Sequence, residues 1–271
     1  DAPKLIKPTQ PVSTFNMRPL VRRVPIRGRP YTLSYHPFGS LMCNTYAFIC
    51  NSTNKATIID PACHDKLEFS QLESFLDGRD VSHILLTHGH ADHVAGVSNA
   101  VDRWPSASLC MHPLEGENYI LGHQHSKKFG LNFPSKLPEP NHALSEGEVI
   151  HIGDTIRLKV LETPGHAPGH VAFVDEDKSD DNDGVVIIGG DLLFRGSVGR
   201  TDFFNSCPEA LMASLRRLYE MYDSESIVLS GHTTPTYLKN ERDSNVFVSM
   251  ALQRPEEWWI EETKRHGWVC S

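Results

Sequence analysis

The 271-residue sequence has six cysteines, Cys43, Cys50, Cys63, Cys110, Cys207 and Cys270, but no C-x-x-C pair and no zinc-ribbon spacing. Scattered through a chain of this length, they read as free thiols in a reducing compartment. No apolar run approaches the roughly 18 residues of a membrane span; the runs are short, as in Val185-Val186-Ile187-Ile188. Positive charge is in deficit, with 26 Lys and Arg against 34 Asp and Glu, a net charge of −8. That argues against a general binder of nucleic acid or of anionic membrane, because both partners are negative. A nucleophile-elbow pattern is also missing, which disfavours Ser-His-Asp or Cys-His chemistry. The acidic stretch Asp175–Gly184 lacks the spacing of an EF-hand and reads as a solvated turn.

What remains is a chain with 39% hydrophobic and 22% charged residues, the balance of a folded globular protein. Domains usually run about 50–250 residues, so one large domain with appendages is expected. Residues 1–30 carry seven Lys and Arg against the single acid Asp1. They read as an irregular basic extension lying on the domain, or as the remnant of an organelle-targeting segment. The expected compartment is the cytoplasm, or a mitochondrion or other organelle if the basic stretch is such a remnant.

From residue 31 to about 240, strands and helices alternate. Strands are expected over Tyr31–Tyr35, Thr45–Ile49, Ala56–Asp60, Ser82–Leu86, Ala107–Met111, His170–Val174, Val185–Ile188 and Ser226–Leu229. Glu148–Ile152 and Thr155–Leu161 form a hairpin-like pair across Gly153-Asp154. Helices are expected over Lys66–Leu76, Ala91–Trp104 and Pro208–Tyr222, with residues 112–147 as an irregular insertion. In residues 241–271, helices broken at Pro255 complete the chain; the first is expected to begin at Asn240 and the second spans Glu256–Arg265. Mixed sheet with helices outside is the implied class.

The fifteen histidines give the sequence its direction. Three of them and an aspartate fall within Thr87-His88-Gly89-His90-Ala91-Asp92-His93, directly after a strand and before a helix. A strand ending in a tight turn points His88 and His90 to one side. The following turn brings Asp92 and His93 to a second point nearby. Gly89 and Ala91 are small enough to leave room for the turn and for ions. Three later segments repeat one form, a short apolar strand and then a His or Asp beside Gly: Val160 to His166, Ile187 to Asp191, and Ile227 to His232. In α/β sheets, ligands gather at the carboxyl ends of strands, where each of these residues sits.

With these motifs in place, the chain resembles the metallo-β-lactamase fold superfamily over about residues 35–240. The T-H-x-H-x-D-H pattern is Thr87–His93, T-P-G-H is Thr163–His166, G-D is Gly190-Asp191, and G-H is Gly231-His232. Within it, Gly190–Asp202 resembles the short, microbial type of glyoxalase II-like hydroxyacylglutathione hydrolase. The resemblance implies an α/β fold, an αββα sandwich of two mixed sheets with helices on both outer faces. It also implies two divalent metal ions, one held by His88, His90 and His166 and the other by Asp92, His93 and His232, with Asp191 bridging and Arg200 lining a glutathione pocket. Imidazole and carboxylate suit zinc, and also iron or manganese.

Such a pair of ions can share a hydroxide that attacks a thioester carbonyl without any Ser or Cys nucleophile. Asp92 and Asp191 are the expected catalytic carboxylates, Asp92 orienting that hydroxide. The expected partner is a small thioester derived from glutathione, not nucleic acid or membrane, and the expected state a monomer or homodimer. The rival within the superfamily is a persulfide dioxygenase, implying one iron on His88, His166 and Asp191. After His232 stand Thr233-Thr234-Pro235 and a short tail rather than the sizeable helical domain of the classical glyoxalase II. Broader thioester specificity is therefore expected. His170, Glu162 and Thr163 read as structural, and His123 and His125 as facing solvent or the cleft mouth.

Overall fold

The computed structural model describes residues 22–24, 26, 28–126, 133, 136–177, 184–254, 258 and 261. The first sheet is built from β1 (Arg22–Arg23), β2 (Tyr31–Phe38), β3 (Cys43–Cys50), β4 (Lys55–Ile59), β5 (Asp80–Leu85), β6 (Ser108–Met111) and β7 (His142–Ala143), neighbours in that order. The first three pairings are antiparallel; from β4 to β7 all are parallel. The second sheet holds β8 (Val149–Ile152), β9 (Ile156–Glu162), β10 (Val171–Asp175) and β11 (Val186–Gly190), with β14 (Ile227–Ser230) and β15 (Thr236–Tyr237) beyond them. Here β11 and β14 run parallel and the other pairs antiparallel. A small ribbon of β12 (Leu193–Phe194) and β13 (Ser197–Val198) follows β11.

Side-chain alternation makes this a four-layer sandwich. On β3, Tyr46, Phe48 and Cys50 face the second sheet, whereas Cys43 and Ala47 face the helices. On β10, Val171 and Phe173 join the core between the sheets, and Ala172 and Val174 face the opposite helices. Strands buried on both faces need both faces apolar, as in the run Val185–Ile188. The outer layers are α1 (Lys66–Leu76), α2 (Ala91–Val94) and α3 (Val97–Arg103) on the first sheet, and α5 (Pro208–Met221) with α7 (Val246–Gln253) on the second. On α5, Leu211, Leu215, Leu218 and Tyr219 form the buried stripe that the sequence pattern gives.

Several expectations change, beginning with the irregular extension 1–30, which holds β1 paired to β2. The helix expected over Ala91–Trp104 is two, α2 and α3, parted at Ala95-Gly96. There the chain packs against the loop after β4: the Gly96 amide donates to the Pro61 carbonyl, and a Cβ on Gly96 would lie 2.5 Å from the Cys63 sulfur. The insertion 112–147 is not irregular throughout. It holds a 3₁₀ turn at Pro113–Glu115, the helix α4 (Gly116–Ser126) and β7. Two glycines and the adjacent Tyr119, Ile120 and Leu121 hid the helical period there. Cys43, Cys50, Cys63 and Cys110 are free thiols, but Cys207 is disulfide-bonded, a pairing that spacing alone cannot reveal. The terminal helix expected over 240–254 is two, α6 (Leu238–Ser244) and α7, parted at Asn245, whose side chain accepts the Phe247 amide and caps α7; the one expected over 256–265 falls almost wholly outside the described residues, as do residues 1–21 and the side chains of His123 and His125.

Phe173 is fully buried between the sheets. Phe173→Ala should cost about 3–5 kcal/mol, read as a lower urea midpoint. Leu67→Ala, at a side chain that is 70% exposed, should stay within about 0.5 kcal/mol of the parent.

Candidate metal centre

The strand ends bring the motifs together. β5 runs into Thr87–His93, β9 into Thr163–His166, β11 into Asp191, and β14 into Gly231-His232. Two groups result. In the first, His88 Nε2 lies 3.1 Å from His90 Nδ1, which lies 2.9 Å from His166 Nε2. In the second, an Asp92 carboxylate oxygen lies 3.1 Å from His232 Nε2 and 3.8 Å from His93 Nε2. Asp191 stands between them: Oδ2 is 3.5 Å from both His166 Nε2 and His232 Nε2, and Oδ1 is 3.3 Å from His93 Nε2. All seven sequence-predicted metal residues are therefore in one place.

These separations match the edges of a coordination polyhedron. With metal–nitrogen lengths of about 2.0–2.1 Å, tetrahedral ligand atoms stand about 3.3–3.4 Å apart. The donor set passes a second test. His93 Nε2 and Asp191 Oδ1 are buried and, though 3.3 Å apart, make no well-aligned hydrogen bond, a costly condition unless a cation between them satisfies both. Gly231 leaves the necessary space, since a Cβ there would lie 2.1 Å from Asp191 Oδ1 and 2.9 Å from the His93 ring.

The outer nitrogens of four of the five rings are held, which fixes which of their nitrogens faces inward. His166 Nδ1 donates to the Arg200 carbonyl at 2.8 Å, and His232 Nδ1 to the Leu41 carbonyl at 3.0 Å. His93 Nδ1 donates to Asp60 Oδ2 at 2.9 Å, and His88 Nδ1 pairs with the Thr87 hydroxyl at 3.0 Å. Burial pushes His88 well below the ordinary imidazole value and His90 down to about 3, with neighbouring rings adding to the effect. Their lone pairs are thus free of protons. Burial opposes charge on Asp191 and on His232 as well. His232 and His93 nevertheless hold the Asp191 carboxyl far down, and Asp191 and Asp92 push His232 up to about 11. A proton and a cation compete for His232, so cation uptake there releases protons.

Several supporting residues escaped the sequence reading. Asp60 accepts from the Thr87 amide and hydroxyl as well as from His93. Its φ of 51° is left-handed, which Asp tolerates better than most residues. It follows the apolar strand β4 just as the other site residues follow theirs, a signal that was present. Glu115, fully buried, accepts from the amides of Gly89 and Gly169 at 2.7 Å each and so ties two site loops together. His170, read as structural, hydrogen-bonds Thr163 through Nδ1 and accepts the Asp191 amide at Nε2, 3.0 Å away.

A cleft of about 400 Å³ opens onto the cluster, walled by Leu41, Ala91, Phe194 and Phe203, with Arg200 at its edge. The Arg200 guanidinium makes two hydrogen bonds to Asp202, at 2.6 and 2.9 Å, and lies 5.2 Å from the Phe203 ring centroid.

Comparison with known proteins places this geometry. The hydroxyacylglutathione hydrolase GloC of Haemophilus influenzae is 30% identical over 211 residues, 75% of this chain and 92% of that protein. The di-iron-bound form of TTHA1623 superposes with a TM-score of 0.65 at 36% identity, covering 78% of this chain and 98% of that one. The BLEG-1 B3 metallo-beta-lactamase gives a TM-score of 0.68 at 28% identity, covering 80% and 99%. The profile of the metallo-beta-lactamase superfamily matches residues 39–232, a span that holds every one of the seven clustered residues, and the chain belongs to that superfamily.

Proposed function

We propose that the chain is a dinuclear metal-dependent hydrolase of thioesters, acting on S-(2-hydroxyacyl)glutathione. In this reading His88, His90 and His166 hold one ion, Asp92, His93 and His232 hold the second, and Asp191 bridges. The observation that carries it is the position of Asp191 Oδ2, 3.5 Å from a ring nitrogen of each group. A mononuclear centre on His88, His166 and Asp191 would leave His90, Asp92, His93 and His232 gathered without purpose. The similarity to a hydroxyacylglutathione hydrolase and to a di-iron protein supports the same reading.

Two divalent ions, whether zinc, iron or manganese, would supply a water-derived nucleophile near neutral pH and a Lewis acid for the acyl oxygen. The chain's residues do the rest. Leu41, Phe194 and Phe203 exclude bulk water and seat the acyl group beside the cluster. Asp92 lines the cleft with a carboxyl held below its usual range, despite burial, by His93 and His232. It stays ionised and orients the water-derived nucleophile toward the acyl carbon. His170 anchors the Asp191 amide, keeping the carboxylate between the groups. The thiolate leaves without a general acid, because a free thiol ionises near pKa 8.5. Arg200 meets a glutathione carboxylate by exchanging it for Asp202, since an exposed ion pair holds only about 0–1 kcal/mol.

The direct test is a panel of S-acyl glutathiones beside simple acyl thioesters, with glutathione persulfide as comparator. Thioester turnover is expected, broad in the thiol portion. Sulfite formation with oxygen uptake and no thioester cleavage would replace this reading with the dioxygenase.

Asp191→Asn should lose at least one metal and lower turnover by roughly a hundredfold or more; Asp202→Asn should keep both metals by elemental analysis. Asp60→Asn removes the acceptor behind His93. It should weaken the metal beside His93 by about 10–100-fold in chelator competition, and the metal beside His88, which Asp60 reaches only through Thr87, by less.

A further inference from the structure

One donor beside the cluster is not among the seven. Cys43, at the start of β3, is a fully buried free thiol. Its sulfur, a carboxylate oxygen of Asp92 and ring nitrogens of His93 and His232 all lie within 4.8 Å of one another. Among the described residues, the first group of three histidines has no such neighbour: His88, His90 and His166 meet there without a sulfur.

A buried cysteine alone usually packs as a small hydrophobe, and Cys43 does contact the apolar layer under the first sheet. A second observation points to a ligand. His93 Nε2, on a residue with no solvent exposure, makes no well-aligned hydrogen bond, and His93 belongs to the same four-residue group as Cys43. The position of Cys43 is also fixed from behind. The amide of the next residue, Asn44, donates to the Gly231 carbonyl at 2.7 Å, and its side-chain amide donates to the carbonyls of Ser230 and Thr233 at 2.9 Å each. The β3 start is thereby clamped to the loop that carries His232, so sulfur and imidazole approach the same point from two tied backbones.

We infer that Cys43 supplies a thiolate ligand to the metal held by Asp92, His93 and His232, which makes the two metal positions chemically unlike. On coordination the thiol proton leaves to solvent and the sulfur lone pair forms the bond, with no change of oxidation state. The first position is then a set of three imidazoles, and the second a mixed set of sulfur, carboxylate and two imidazoles, both sharing Asp191. Soft sulfur favours zinc over manganese or magnesium. The second position is therefore the one that discriminates most sharply against manganese and magnesium, and the first is open to zinc, iron and the other imidazole-preferring ions.

This inference rests on the dinuclear reading, and the experiment separates the two. The 271-residue chain, depleted of metal and titrated with cobalt(II), is followed by elemental analysis and near-ultraviolet absorption. Two cobalt ions per chain with a sulfur-to-cobalt charge-transfer band are expected. The band should vanish in both Cys43→Ser and Cys43→Ala and persist in Cys63→Ala, and zinc affinity at one site should fall by roughly tenfold or more in the Cys43 variants. Two bound cobalt ions without the band in the parent chain, or a band that survives Cys43→Ala, overturns the assignment and leaves the dinuclear reading standing. A chain that binds no second cobalt overturns both. Because the parent chain alone can give the deciding spectrum, poor folding of a variant does not spare the assignment.

Discussion

Everything at the working end of this molecule follows from one electrostatic constraint. Five ring nitrogens and two carboxylates are gathered where water is scarce, and no arrangement of protons satisfies them all. The outer nitrogens of His88 and His166 are already engaged, and the inner nitrogens of His88, His90 and His166 face one another at 2.9–3.1 Å. Such a grouping is stable only around positive charge. The layered scaffold holds it in place. Sheets buried on both faces fix the strand ends, and the strand ends fix where the donors stand.

The carboxylates behind the cluster carry as much of the design as the donors in it. Asp60 sets the orientation of His93 and the turn at Thr87 together. Glu115 joins the loop after β5 to the loop after β9 through two backbone amides. A weakened Glu115 contact would let the histidine-rich turn and the His166 turn drift apart, so the geometry of the first group depends on a residue of the insertion that touches none of its rings. The insertion is therefore part of the site's support.

Legibility in the sequence followed locality. The seven donors could be read because four lie within six residues and the others each end a short apolar strand beside glycine. The mixed sheet with helices outside could be read because its strands are apolar on both faces and α5 has a clean stripe; the two-sheet sandwich came only with the family resemblance. What escaped depends on pairings that no local pattern states. Asp60 matters only because β4 and β5 are parallel neighbours, Cys43 only because Asn44 reaches across to the other sheet, and Glu115 only because α4 begins beside two loops. Arg200 was singled out for its side chain, and the structure adds a role for its carbonyl, which orients His166.

At the opposite end of the sandwich, Asp175 closes β10 and is nearly inaccessible. It accepts from the Tyr31 hydroxyl and pairs with Arg29 at 3.3 Å. Arg29 precedes β2 in the first sheet and Asp175 belongs to the second, so the pair is a rivet through both. Burial raises the Asp175 carboxyl above its ordinary value, and Tyr31 and Arg29 bring it partly back. The residues just ahead of β2 are thus structural members of the domain. A shortened chain beginning at Tyr31 would inherit a stranded carboxylate between its sheets, and its far end would breathe while its metal end stayed whole.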